Sequence, residues 1–157
     1  MTDNEYADIM MTAAYAAQQA PAEARQRLLA ARDRVADIRA RLCSLRAVRY
    51  DRDRVQTSTV HDLSDDLGNL QEAEHEVWVA ETLYLAAIAS LRYCCLAAGF
   101  GLRQTDIWTM YYGYGHSLGS IALMTGLTKS QVQYLTSGVR VSRDFCLGIW
   151  RIAEAAV

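Results

Sequence analysis

The placement of the one proline and nine glycines constrains this chain more than any other feature. Pro21 and Gly68 are the only ones in the first 98 residues; the other glycines fall from Gly99 onward. In a helix interior glycine costs about 1 and proline about 3 kcal/mol relative to alanine. Hydrophobic residues make up 52% of the 157, with alanine prominent among them. An all-α protein is expected: long helices first, then short helices and turns. The length suits one domain or two small lobes with a real core.

Apolar spacing places the helices. Residues 3–20 form a first helix, with Asp3 as N-cap and Tyr6, Ile9, Met10, Ala13 and Ala17 on one face. Pro21 is expected to interrupt it and to open the next helix, residues 22–48. There Leu28, Ala31, Val35, Ile38, Leu42 and Leu45 follow a 3-4 heptad alternation, and arginine fills the other faces. The polar segment 49–61, RYDRDRVQTSTVH, reads as the loop of a long antiparallel helical hairpin. A third helix begins near Asp62. Leu63, Leu67, Leu70, Val77, Tyr84, Ile88, Leu91 and Cys95 mark its seam, with Glu74 and Glu81 at inward heptad positions. Ala73 and Ala80 lie beside those two glutamates, so the carboxylates are expected to meet arginines of the preceding helix. Residues 97–101, AAGFG, end this helix and divide the chain into 1–98, an assembly region, and 99–157.

Net charge is −2, and its distribution says more than its size. Residues 25–54 carry ten arginines against four aspartates; residues 61–83 carry seven acids and no Lys or Arg. Opposite charge on adjacent helices fixes their pairing. Those arginines are then expected to face carboxylates rather than an external polyanion.

The C-terminal region begins with a helix over residues 103–112, with Ile107, Met110 and Tyr111 as its apolar face. A glycine-rich connector, 112–116, follows; it lacks the G-K-[ST] ending of a phosphate loop. Residues 117–139, SLGSIALMTGLTKSQVQYLTSGV, then read as a helix-turn-helix. A short helix from Ser117 carries Ile121, Ala122 and Leu123. Ala122 is small where a second helix crosses. Gly126, four residues on, can take φ > 0 at the turn. Thr128 caps the second helix and Gln131 completes a capping box. Val132 and Leu135 face back into the crossing. This leaves Thr128, Lys129, Ser130, Gln133, Tyr134 and Ser137 facing outward, where a recognition helix meets base edges. The same spacing also suits an ordinary packed helix pair. Beyond Gly138 a last segment packs back through Phe145, Ile149, Trp150 and Ile152. His116 is a loop residue near the start of the motif.

Other chemistries find little support. The four cysteines (Cys43, Cys94, Cys95, Cys146) form no C-x-x-C and read as buried free thiols. No cofactor or metal is expected. His75-Glu76 lacks the second histidine of a zinc protease motif, and no catalytic residue is expected. No apolar run approaches the ~20 residues of a membrane span, so no membrane partner is expected. No leader-like segment is visible, so a cytoplasmic location is expected.

In order, the chain shows a heptad helix, the loop YDRDRVQTS, a second long helix and the unit IWTMYYGYGHSLGSIALMTGLTKSQVQYL. This arrangement, over residues 25–149, resembles the ArpU/RinA-type phage and prophage transcriptional regulators of Gram-positive bacteria. Residues 54–58 are its more specific part. The resemblance implies a C-terminal module similar to the promoter-reading C-terminal domain of sigma factors, which binds double-stranded DNA. It also implies a helical hairpin that serves homo-oligomer assembly or contacts with RNA polymerase. On that expectation Gln133 reads adenine, Lys129 reaches guanine or phosphate, and Ser130 adapts. Tyr134 packs on phosphate, sugar or a thymine methyl, while Arg140 and Arg143 fix register on the backbone. With so few bases, a protomer pair or a polymerase partner is needed for useful affinity. The alternative expectation is a protein-interaction module that keeps the fold and contacts RNA polymerase or another regulator.

Overall fold

The computed structural model describes residues 3–48 and 63–156, and the segment 49–62 that holds the expected loop and its 54–58 motif lies outside them. Among the described residues every regular element is helical: α1 (Asp3–Val48), α2 (Leu63–Ala97), α3 (Leu102–Trp108), a π-helical turn (Thr109–Gly113), α4 (Leu118–Thr125), α5 (Lys129–Ser137) and α6 (Val139–Ala155). The all-α expectation holds.

One boundary differs from the sequence reading. α1 runs through Pro21 without a break. Proline removes one i→i−4 hydrogen bond and crowds the preceding turn. Here its ring is fully buried, and strong helix formers flank it on both sides. Burial and cooperativity outweigh the local penalty.

Two compact units divide the chain, and no single cut along it separates them: Arg25–Leu83 forms one, and Met1–Ala24 with Tyr84–Val157 forms the other. In the first, Val35, Ile38 and Ala73 form a buried cluster, with Leu42, Leu70 and Val77 packed on it. Three ion pairs flank it: Arg32–Glu81 at 2.6 Å, Arg34–Glu76 at 2.7 Å and Arg39–Glu74 at 2.7 Å. Rising numbers on α1 meet falling numbers on α2, so the two segments run antiparallel. Glu74 and Glu81 therefore do not enter the seam. Ala73 and Ala80 do, and the glutamates beside them take arginines of α1, as their neighbourhood implied. Leu67, expected in the seam, is exposed.

The second unit has two clusters. In one, Ala14, Leu91, Cys94, Cys95, Phe100, Trp108, Val141 and Phe145 are buried together. The α1 face is set by Ala14, with Ala17 packed on the same cluster, rather than by Ile9, which is exposed. Trp108 and Phe145 lie 4.6 Å apart, ring centre to ring centre, and Phe100 meets Trp108 edge-on at 5.2 Å. α6 contributes Val141 and Phe145, with Cys146, Ile149 and Ile152 packed alongside; Trp150, expected among them, is exposed. Gly148 is buried where α6 meets the end of α2: a Cβ there would stand 2.6 Å from the Ala98 backbone nitrogen. The second cluster, Ile107, Ile121 and Val132, joins α3, α4 and α5, with Met110, Tyr111, Ala122, Leu127 and Leu135 packed on it.

Two further expectations change. Cys43 is exposed, whereas Cys94 and Cys95 are buried; all four thiols are free. The stretch Asp65–Ala97 within α2 is long and apolar enough, by length and composition alone, to cross a membrane, although no uninterrupted apolar run signals it.

Candidate nucleic-acid interface

The α4–α5 segment is built as its residues dictate. Ser117 caps α4, its hydroxyl accepting from the Ser120 N–H at 3.1 Å. Gly126 ends α4 with φ +70°, and its N–H donates to the Ala122 carbonyl at 3.0 Å. A left-handed residue at that place is what lets the chain leave the helix, and only glycine adopts it without a Cβ penalty. Arg103 donates to the Thr125 carbonyl at 3.1 Å, covering another free end of α4.

α5 then starts with both halves of a capping box. The Gln131 N–H donates to the Thr128 hydroxyl at 3.2 Å, and the Thr128 N–H donates to the Gln131 Oε1 at 2.9 Å. Val132 and Thr136 are fully buried, Leu135 partly. With roughly 100° per residue, the opposite side of α5 carries Ser130 and Tyr134, with Lys129, Gln133 and Ser137 on one shoulder. Thr128, Lys129, Ser130, Gln133, Tyr134 and Ser137 are all exposed, as are Arg140 and Arg143 in the first turns of α6. Ser130, Gln133, Tyr134 and Ser137 thus share the exposed side of α5 away from Val132, with Lys129 at its edge and Thr128 at the N-cap.

Gly138 separates α5 from α6 by a single extended residue, φ −62° and ψ 139°. A Cβ there would lie 2.5 Å from the Tyr134 carbonyl oxygen. Glycine is required by that close approach, because the backbone angles themselves suit any residue.

Several contacts around this segment were not foreseen from the sequence. Trp108 Nε1 donates to the Leu135 carbonyl at 2.6 Å, and the Tyr112 hydroxyl to the Thr136 carbonyl at 3.0 Å. Burial pushes the Tyr112 phenol up to about 12, with Tyr111 adding to it. The turn carrying Tyr112 is π-helical rather than the end of a plain α-helix. From α2, the Tyr84 hydroxyl donates to the Gly113 carbonyl at 3.1 Å, and Arg92 reaches Asp106 at 2.9 Å. The one available signal was the i, i+4 spacing of Trp108 and Tyr112, since a buried indole N–H needs an acceptor.

The electrostatics are thin. Lys129 is the sole charged residue of 117–139. Leu123 is 88% exposed, and Met124 and Tyr134 are also exposed. A shallow apolar groove of about 410 Å³ lies along the flank of α5, lined by Leu127, Ser130, Gln131, Tyr134 and Leu135. Among the described residues no group of three His, Cys, Asp or Glu side chains could hold a metal ion. His116 is exposed, with its backbone N–H on the Met110 carbonyl.

Compared with protein-family models, with curated proteins and with solved structures, the chain matches none.

Proposed function

We infer that the protein is a sequence-specific DNA-binding regulator of the phage and prophage type its sequence resembles, with α4 and α5 as a sigma-like helix-turn-helix. The observation that carries this reading is the pair itself. A short helix ends on left-handed Gly126, a boxed N-cap opens the next, and one polar surface of α5 is left in solvent. α5 enters the major groove. Gln133 and Ser130 meet base edges, Lys129 meets guanine or phosphate, and Tyr134 packs on sugar or a thymine methyl. Thr128 and Ser137 bound this row, and Arg140 and Arg143 hold the phosphates that set register. The paired helices α1 and α2 form a hairpin that assembles protomers, so that two copies of α5 reach successive turns of one duplex. RNA polymerase is a further partner. Residues 99–157 carry the duplex-binding function and residues 1–98 the assembly, in the cytoplasm, with no catalytic step and no cofactor.

A second reading is favoured by the apolar groove along α5 and by exposed Leu123. On it, this surface contacts RNA polymerase or another regulator rather than DNA.

Selection from a random duplex pool at about 0.15 M salt separates the two, because long-range attraction is screened beyond ~8 Å there. A regulator enriches a motif with the wild-type protein, and a Lys129→Ala, Gln133→Ala double variant loses that enrichment. Enrichment by neither leaves the protein-contact reading.

A further inference from the structure

We propose that Trp108 and Tyr112, which do not belong to the outward surface of α5, are positioning residues that set how α5 is presented. The inference rests on the duplex-reading proposed above and adds the residues on which its specificity depends.

The last turn of any helix leaves carbonyls without intrahelical partners. In α5 three of the last four, those of Tyr134, Leu135 and Thr136, have a defined donor. One residue earlier, the Gln133 carbonyl also accepts from the Ser137 hydroxyl at 3.0 Å and the Thr136 hydroxyl at 3.3 Å. The Tyr134 carbonyl accepts from the Gly138 N–H at 3.1 Å. Those donors are local and move with the helix. The Leu135 and Thr136 carbonyls instead accept from Trp108 and Tyr112, on a different element. These two bonds therefore tie the end of α5 to something outside it.

Trp108 ends α3 and Tyr112 lies in the π-helical turn that follows, on the same side four residues on; their rings are tilted against each other with centres 4.8 Å apart. Their donors reach two consecutive carbonyls of α5. The turn is itself held from the α2 side: Tyr84 donates to Gly113, and Arg92 donates to Asp106 and to the Thr109 hydroxyl at 3.4 Å. Trp108 is fully buried among Phe100, Tyr112 and Phe145, so it cannot shift freely with α5. The N-terminal end of α5 has its own capping box. The helix is fixed at both ends, and the row from Lys129 to Ser137 keeps one orientation. Base readout needs that, since hydrogen bonds to base edges tolerate little misplacement.

The test uses the full chain with Tyr112→Phe, which removes one oxygen and keeps the packed ring. Trp108→Phe is the second variant. Two readouts are taken: amide hydrogen exchange over residues 129–138 with α6 as internal reference, and affinity for the selected duplex beside a random one. Tyr112→Phe is expected to raise exchange at the end of α5 about five-fold, the size set by one lost hydrogen bond. It should weaken the selected duplex several-fold and leave the random duplex within two-fold. Unchanged exchange in α5 overturns the proposal. So does an equal loss on both duplexes, because a purely structural role lowers the two together. If the wild type does not discriminate between duplexes, base reading itself fails. The exchange over α5 then decides the positioning role alone: a rise supports it and no change overturns it.

Discussion

At Thr128 the side chain and backbone contribute through one small motif. The hydroxyl satisfies the Gln131 N–H and the Gln131 side chain returns the bond, so two free donors at the start of α5 are covered. Thr128→Ala is expected to cost about 1 kcal/mol, within a range of about 0.5–2, measured by urea denaturation. Because Thr128 sits at the edge of the outward row, the same variant should fray the first turn and raise exchange there. This motif was legible in the sequence, as was Gly126, because both are local: a threonine, a glutamine three residues on, a glycine at the turn. Gly138 was not legible in the same way. Its need for glycine comes from the Tyr134 carbonyl, and a pattern search sees only that the residue is small. The buried acids give a second prediction. Burial raises the Cys95 thiol from 9 to about 12, with Cys94 adding to it and Arg92 opposing. Tyr112 rises from 10 to about 12, and burial raises Cys94 and Cys146 as well. Each folded value lies above the unfolded one, and each group is an acid that is neutral when protonated. The folded state therefore holds its full stability below about pH 9. It loses stability as pH rises from 9 toward 12, because only the unfolded chain ionises easily there. Denaturation midpoints at pH 8, 10 and 11 should therefore fall in that order. A Cys95→Ala variant should start lower and fall less.

At the element scale the helices were easier to read than their faces. Long helices followed from the scarcity of glycine and proline, and the pairing of α1 with α2 followed from opposite charge. The route of the seam did not. Heptad counting assigned Glu74 and Glu81 to the interior, whereas the helices meet over the small Ala73 and Ala80 and leave the carboxylates beside the arginines. Charge desolvation decides this: an exposed ion pair is worth up to ~1 kcal/mol, while an unpaired buried carboxylate costs several. Pro21 taught the same lesson, since its penalty is local and the burial that offsets it is not. α6 supplies a prediction. In isolation Gly148→Ala would favour the helix by about 1 kcal/mol. Against the Ala98 backbone, 2.6 Å from the new Cβ, it forces the helix away and should cost about 1–3 kcal/mol net, seen as a lower thermal midpoint. A raised midpoint would mean that α6 does not lie so close to α2. For α5 and α6 the separation is between reading and holding. Gln133→Ala should cost about 1–3 kcal/mol at one base position and relax preference there, whereas Arg140→Ala should weaken all sequences alike. Equal losses on target and random DNA for Gln133→Ala would argue against base reading.

For the whole molecule the question is how a protein of net charge −2 holds a polyanion. Four of its fifteen arginines face carboxylates instead: Arg32, Arg34 and Arg39 pair with Glu81, Glu76 and Glu74, and Arg92 pairs with Asp106. Arg103 uses a donor on the Thr125 carbonyl. The candidates near α5 are then Lys129, Arg140 and Arg143, all exposed. Each phosphate neutralised contributes about 0.9 to the magnitude of the slope of log affinity against log salt. One protomer with three contacts should give a slope near −3, and two protomers on one duplex a slope near −5. The exposed ion pairs between α1 and α2 are each worth little, so the same change in salt should hardly move the thermal midpoint. Titrating a fluorescent target duplex between about 0.05 and 0.3 M salt therefore counts protomers without a structure of the complex. A slope near −5 together with a two-fold symmetric site supports assembly through the long helices. A slope near −3 with a single half-site confines binding to one protomer and leaves affinity to a polymerase partner. A slope near zero would mean that the Leu127–Tyr134 groove, and not the phosphate-facing bases, makes the contact, and the regulator reading would give way to the interaction module.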